Sequence, residues 1–184
     1  MSVILPIFRL PNLIFLSGLL MLGCASNPLG QQVKEPFSGN QYESNNRYYR
    51  AVGKGSSKMD AVAKSQAEMR ARQQLAQQVQ TYFEVVTDDY QKSTSGMHVD
   101  EAMTRFETLG REITSANLAD LRVIGQEIYR SEEGSYTVFV AIEIKKASMY
   151  RHMKKQAKLN DQISQSELEE VLKLLDQLIE EAEE

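Results

Sequence analysis

The spacing of hydrophobic residues changes several times after residue 46, and each change predicts an element. Residues 47–53 have strand composition, and the glycines and serines of 53–57 are typical of a turn. Apolar residues then recur every three or four positions, which predicts a helix that can extend to Tyr90. Its apolar positions are Met59, Val62, Ala63, Ala67, Ala71, Leu75, Val79 and Phe83. We expect Ser57 to cap this helix and the small alanine face to lie close against a sheet.

The pattern continues with a second helix and a hairpin. Asp100 is the expected cap of the helix, whose apolar positions are Ala102, Phe106, Leu109, Ile113 and Ala116. Residues 121–130 predict a mixed strand with a bulge at Gly125, and residues 131–134 are typical of a hairpin turn. Apolar and polar positions alternate over 136–145, which predicts a strand whose even-numbered side chains are buried.

The end of the chain, 159–184, predicts a separate acidic amphipathic helix. We expect Ser166 and Glu169 to form a capping box. The apolar stripe consists of Leu168, Val171, Leu172, Leu175, Leu178 and Ile179. This stripe must be covered by the domain itself, a second copy or a partner, and it is short for a free coiled coil. We therefore expect docking or oligomer contact, and a homo-oligomer or an envelope partner would bind through Leu168, Leu172, Leu175 and Ile179.

Together these elements predict an α+β fold. A small antiparallel sheet of about three strands is packed by two helices, and a C-terminal amphipathic helix is added to them. The length of 184 residues suits one folded domain with attachments.

Composition limits the possible functions. The net charge of −4 gives no electrostatic reason to bind nucleic acid. One cysteine and two histidines exclude an internal disulfide and a four-ligand Cys/His zinc site. We predict no metal, no cofactor and no nucleic-acid partner.

The first 23 residues have the profile of a signal peptide. Arg9 is their only charged side chain, and the apolar stretch 13–22 is about half as long as a membrane-spanning helix needs to be. The segment ends in Leu20-Met21-Leu22-Gly23-Cys24, which resembles a bacterial lipobox.

The lipobox resemblance implies that the signal is cut before Cys24, which then carries an S-diacylglycerol group and an N-acyl group such as palmitate. The alternative is a plain buried thiol near the end of a signal peptide. Two or more acyl chains make a stable membrane anchor. Ala25, in place of an aspartate, implies delivery to the outer membrane, with the domain in the periplasm or at the cell surface. Residues 26–46 are typical of a flexible tether.

Few residues suggest further chemistry. The segment 53–57 combines glycines, Lys54 and hydroxyls beside a predicted helix start, which suits an anion, but the spacing of a phosphate-binding loop is missing. A module that binds anions or small ligands is therefore the alternative function. His98 and His152 match no metal motif, and the adjacent acids at 88–89 and 132–133 are typical of solvated positions.

The basic run 145–158 can contact anionic lipid, but we favour its pairing with the acidic helix that follows. No serine lies in a nucleophile elbow, and we predict that the protein is not an enzyme and has no catalytic residue.

Four separated runs, together with the lipobox, resemble the LPP-type bacterial lipoprotein family of small envelope lipoproteins. They are YYRAVGKGS (48–56), ARQQLA (71–76), VTDDY (86–90) and YTVFVAIEI (136–144). The resemblance implies a compact α+β domain over 47–158 without known catalytic residues. Some relatives take part in outer-membrane structures around the flagellum, but no residue here selects that branch.

The chain thus divides into a lipoprotein signal peptide (1–23), a lipidated N-terminus with tether (24–46), an LPP-type α+β domain (47–158) and an acidic tail helix (159–184). The expected function is a non-catalytic structural or assembly role at the outer membrane of the cell envelope.

Overall fold

The computed structural model describes residues 30, 33–94, 96, 98–115 and 121–184, with the side chains of 114 and 115 excepted. Its contacts divide the chain into two units, Met1–Val33 and Lys34–Glu184. Gly30 and Val33 are the described residues of the first unit, and both are exposed. The predicted signal peptide and Cys24 lie outside the described residues.

The second unit is an α+β domain, which confirms the predicted fold class. Its described residues form a three-stranded antiparallel sheet in the order β1-β3-β2, four α-helices and one 3-10 turn, Asn40–Tyr42. In chain order the elements are β1 (Tyr48–Ser57), α1 (Asp60–Ser93), α2 (Val99–Ser115), β2 (Arg122–Arg130), β3 (Tyr136–Lys145), α3 (Lys146–Leu159) and α4 (Gln165–Glu181).

The glycine turn predicted at 53–57 is wrong, because β1 continues through Ser57. Gly53 and Gly55 lie inside the strand and face α1. A Cβ atom on Gly53 would stand 2.0 Å from the main-chain oxygen of Ala67, and one on Gly55 would stand 2.0 Å from that of Ala63. The two backbones therefore touch, and the predicted close contact between the alanine face and a sheet is confirmed.

The predicted helix caps lie close to the observed ones but are wrong in detail. Because β1 is extended through Ser57, α1 begins only at Asp60, and the Ser57 hydroxyl accepts a bond from the Met59 amide instead of capping the helix. Asp100 lies inside the first turn of α2, where its carboxylate accepts a bond from Gln91.

The capping box of α4 is also displaced by two residues from the predicted one. Ser164 and Glu167 form it, whereas Ser166 lies in the first turn and its hydroxyl contacts that of Ser164. The turn that leads into α4 buries Ile163, and this burial places the helix start directly after it.

The hairpin prediction is confirmed. The pairing of β2 with β3 shifts its register between Val123 and Gly125, at the predicted bulge. Gly134 in the turn adopts a φ of +83°, a backbone conformation that favours glycine. The even-numbered side chains of β3 from Val138 onward are buried as expected, but those of Phe139, Ala141 and Glu143 are buried as well. The central position of β3 explains this, since side chains of both neighbouring strands flank its outer face.

The last part of the predicted tether contacts the sheet. The Phe37 ring packs against Gly125 at the bulge and makes an edge contact with Tyr42, with 4.8 Å between ring centroids. Ser44 and Asn45 bond to backbone groups at the free edge of β1. Residues 34–46 are therefore packed on the domain, although the sequence alone assigns them to the tether.

We expect Gly53→Ala to destabilise the domain by about 3 kcal/mol or more, because the new methyl group would collide with main-chain atoms of α1. The matched control is Gly39→Ala, where a Cβ meets no atom within 4 Å, and its effect should stay within about 0.5 kcal/mol. Urea denaturation of both variants measures the difference. Equal effects would show that α1 does not lie against β1 at this distance.

Candidate functional site

The predicted lipidation of Cys24 remains a prediction, because this residue lies outside the part of the chain that the structure describes. The remaining candidates are all described, and the helices α3 and α4 bring several of them together.

The apolar stripe of α4 is largely covered by the domain itself. Val171, Leu174, Leu175 and Leu178 are buried, and α4 packs on both α2 and α3. Of the four residues predicted to contact a partner, Leu175 is fully buried inside the chain, whereas Leu168, Leu172 and Ile179 remain partly exposed. The docking that the sequence analysis expected is intramolecular here, and contact with a second copy or a partner stays a prediction.

Basic α3 pairs with α4 and with the residues after it within one chain. Lys154 forms an ion pair with Asp176 of α4, and Arg151 forms one with Glu183, just beyond the helix. Arg47, the residue before β1, donates a 2.6 Å bond from its guanidinium to the main-chain oxygen of Glu184. The pairing favoured from the sequence is confirmed, in its intramolecular form.

A cluster of tyrosines lies beneath this pairing, and the sequence analysis did not identify it. The hydroxyls of Tyr49 on β1 and Tyr150 on α3 are 3.1 Å apart, and Tyr82 on α1 packs edge-on against Tyr49. Burial raises the pKa of Tyr49 and of Tyr150 well above the ordinary value, more strongly for Tyr150. Both hydroxyls are therefore protonated and hydrogen-bonded at physiological pH.

Lys146, the first residue of α3, lies against the same cluster. Its Nζ atom is 4.4 Å from the centroid of the Tyr49 ring and 5.0 Å from that of Tyr82. Burial lowers the pKa of Lys146, and the Glu181 carboxylate acts in the opposite direction. Among the described residues, no carboxylate forms an ion pair with Lys146. Aromatic faces thus stabilise this half-buried cation in place of a counter-ion.

A cavity of about 300 Å³ opens beside this lysine. Its lining includes Tyr82, Lys146 and Tyr150, together with Glu181 in the last turn of α4. The sequence gives only a weak signal for this cavity. Its lining residues come from α1, α3, the end of α4 and the loop before β1, and each one fits an ordinary core or surface pattern.

The segment that suggested an anion site has a different geometry. Lys54 extends from β1 across the outer face of the sheet, with its Nζ atom 5.1 Å from the centroid of the Phe139 ring and 3.3 Å from Glu35. Because β1 continues through Ser57, no turn is formed at 53–57. The geometric argument for an anion site at this segment is therefore lost.

The other candidates occupy ordinary positions. Glu143, on the outer face of the sheet, pairs with Arg50 at 3.0 Å and with Arg122 at 3.7 Å. His98 is exposed, His152 is half-buried, and the acids at 88–89 and 132–133 are exposed. Within the described ranges, no group of three or more His, Cys, Asp or Glu residues is placed to hold a metal ion.

Comparison of the chain with family models, curated proteins and solved structures finds no match. No helix in the described part of the chain combines the length and the apolar character needed to cross a membrane.

We expect Leu175→Ala to cost about 2–5 kcal/mol of stability and Leu172→Ala less than about 1 kcal/mol. The two leucines lie about one turn apart on the same face of α4 and lose the same atoms. The difference between the two losses of stability therefore measures the burial of Leu175 against α2 and α3. Chemical denaturation measures it. Similar losses for both variants would contradict the docking of α4.

The tyrosine pair should make stability depend on pH above about 10, the ordinary tyrosine pKa. Burial raises both pKa values in the folded state. The unfolded chain therefore releases these protons first, and the stability present below pH about 10 is lost as the pH rises further. Each buried hydroxyl contributes up to about 1.4 kcal/mol per pH unit.

The double variant Tyr49→Phe/Tyr150→Phe should flatten this decline in urea denaturation between pH about 9 and about 11, whereas Tyr136→Phe should leave it unchanged. A decline as steep in the double variant as in the parent protein would show that the two hydroxyls are not buried.

Proposed function

We propose that this protein is a lipid-anchored lipoprotein of the bacterial cell envelope, delivered to the outer membrane, with a non-catalytic structural or assembly role. One observation carries the proposal: the segment from Leu20 to Cys24 has the order of a lipobox and lies at the end of an apolar stretch of signal-peptide length. The four runs that resemble the LPP-type family support the same conclusion.

The roles of the conspicuous side chains support a structural function. Gly53 and Gly55 are used for close packing, and Tyr49 and Tyr150 bond to each other inside the domain. Glu143 is shared by two arginines across the sheet. Each of these groups is accounted for by an interaction within the fold.

The partly exposed edge of the α4 stripe is the surface we propose for contact with a second copy or an envelope protein. It comprises Leu168, Leu172 and Ile179, which are accessible while the centre of the stripe holds α4 on the domain. Such a contact requires no rearrangement of the fold.

Cys24→Ser should abolish incorporation of labelled palmitate and release the protein from the membrane fraction. Cys24 is the only cysteine of the chain, so the variant removes every thiol to which lipid can attach. Ser26→Ala, two residues further on, is the matched control and should retain the label and sediment with outer membranes in a density gradient. Mass spectrometry of the parent protein should find an acylated N-terminal cysteine. An uncleaved N-terminus or an unmodified thiol would refute the proposal.

A further inference from the structure

The cavity beside Lys146 is lined by residues of opposite charge. The ammonium group of Lys146 lies against the Tyr82 ring, and Glu181 and Glu184, at the end of the chain, belong to the same lining. Glu181 is close enough to influence the pKa of Lys146, but the two side chains form no ion pair. The main-chain oxygen of Glu184 accepts a bond from Arg47. One cavity of about 300 Å³ is thus lined by a cation and two acids.

Lys146 forms no ion pair with any carboxylate in the described part of the chain. Lys146 is half-buried, and its charged end contacts ring faces. A partly desolvated ammonium group gains more from a carboxylate than a fully hydrated one does, because the dielectric screening around it is weaker. The carboxylate of a ligand at this position would supply the counter-ion that the chain itself does not.

The two glutamates restrict which anions fit. Glu181 and Glu184 would repel a simple anion held at Lys146, and Lys146 would repel a simple cation held at the glutamates. A molecule that carries a carboxylate and an ammonium group a few bonds apart matches both the lysine and the glutamates. The Asn46 amide adds a hydrogen-bonding group to the lining.

Two apolar residues, Leu178 and Ala182, complete the lining, and both are almost fully buried. A cavity of this volume holds a molecule of the size of one amino acid. We propose that it binds a free α-amino acid with an apolar side chain, with the ligand carboxylate at Lys146 and the ligand ammonium group at Glu181 and Glu184.

Leucine and two analogues, each lacking one charged group, test this proposal. The analogues are 4-methylpentanoate, which lacks the ammonium group, and 3-methylbutylamine, which lacks the carboxylate. Titration calorimetry on the full chain in detergent micelles should give leucine an affinity at least tenfold higher than either analogue. Tyrosine fluorescence gives a second readout, since the chain contains no tryptophan.

Two variants locate the binding, each with a neighbouring control. Lys146→Gln and Glu181→Gln should each weaken leucine binding at least tenfold, whereas Lys145→Gln and Glu180→Gln, at exposed neighbouring positions, should leave it unchanged. Glu181 is exposed, so its variant keeps the test valid if Lys146→Gln fails to fold.

Three outcomes would overturn the proposal. The first is the absence of leucine binding. The second is binding of 4-methylpentanoate as tight as that of leucine, which would identify a plain anion site. The third is leucine binding that neither Lys146→Gln nor Glu181→Gln weakens, which would place the ligand elsewhere.

Discussion

The direct contact between the backbones of β1 and α1 is the constraint on which the rest of the domain depends. Gly53 and Gly55 leave no side chain between strand and helix, and the alanines at 63, 67 and 71 present the complementary small surface. Side chains of α1 then reach the free edge of β1, where Gln66, Arg70 and Gln78 bond to its backbone. An edge strand occupied in this way is a poor template for pairing with another chain.

The same contact builds the tyrosine cluster several turns further along α1. Because the first half of the helix is fixed at backbone distance from the strand, Tyr82 meets Tyr49, and Phe83 meets Phe106 of α2 and Tyr150 of α3. The helix thus joins the sheet to the α2–α3–α4 layer. The cavity beside Lys146 lies where these parts meet, so its geometry depends on packing that begins at the glycines.

The sequence predicts those features that repeat along the chain and misses those that depend on a single contact. Periodicity identifies the stripe of α1, the hairpin and the alternation of β3, because each is a property of many residues. The sequence pattern predicts a turn at Gly53 and Gly55, since local composition cannot distinguish a glycine that bends the chain from one that admits a neighbouring backbone. The capping box predicted for α4 lies two residues too late, because Ser164 and Ser166 are each followed three residues later by a glutamate, and the burial of Ile163 favours the first of them. The cavity has no sequence signature, since it joins Asn46, Tyr82, Lys146 and Glu181 across 135 positions.

Packing, rather than attraction between charges, sets the arrangement at the end of α4. Exposed ion pairs such as Arg151–Glu183 contribute at most about 1 kcal/mol each, whereas a buried leucine such as Leu178 contributes about 2 kcal/mol. The burial of Leu178 and Ala182 therefore fixes the orientation of this last turn, and the acids around it take the directions that remain. Glu183 reaches Arg151 on α3, while Glu181 lines the cavity and forms no ion pair with Lys146. Apolar burial thus positions the end of α4, and the ammonium group of Lys146 lies against the Tyr49 and Tyr82 rings, whose faces stabilise it where no carboxylate is paired with it.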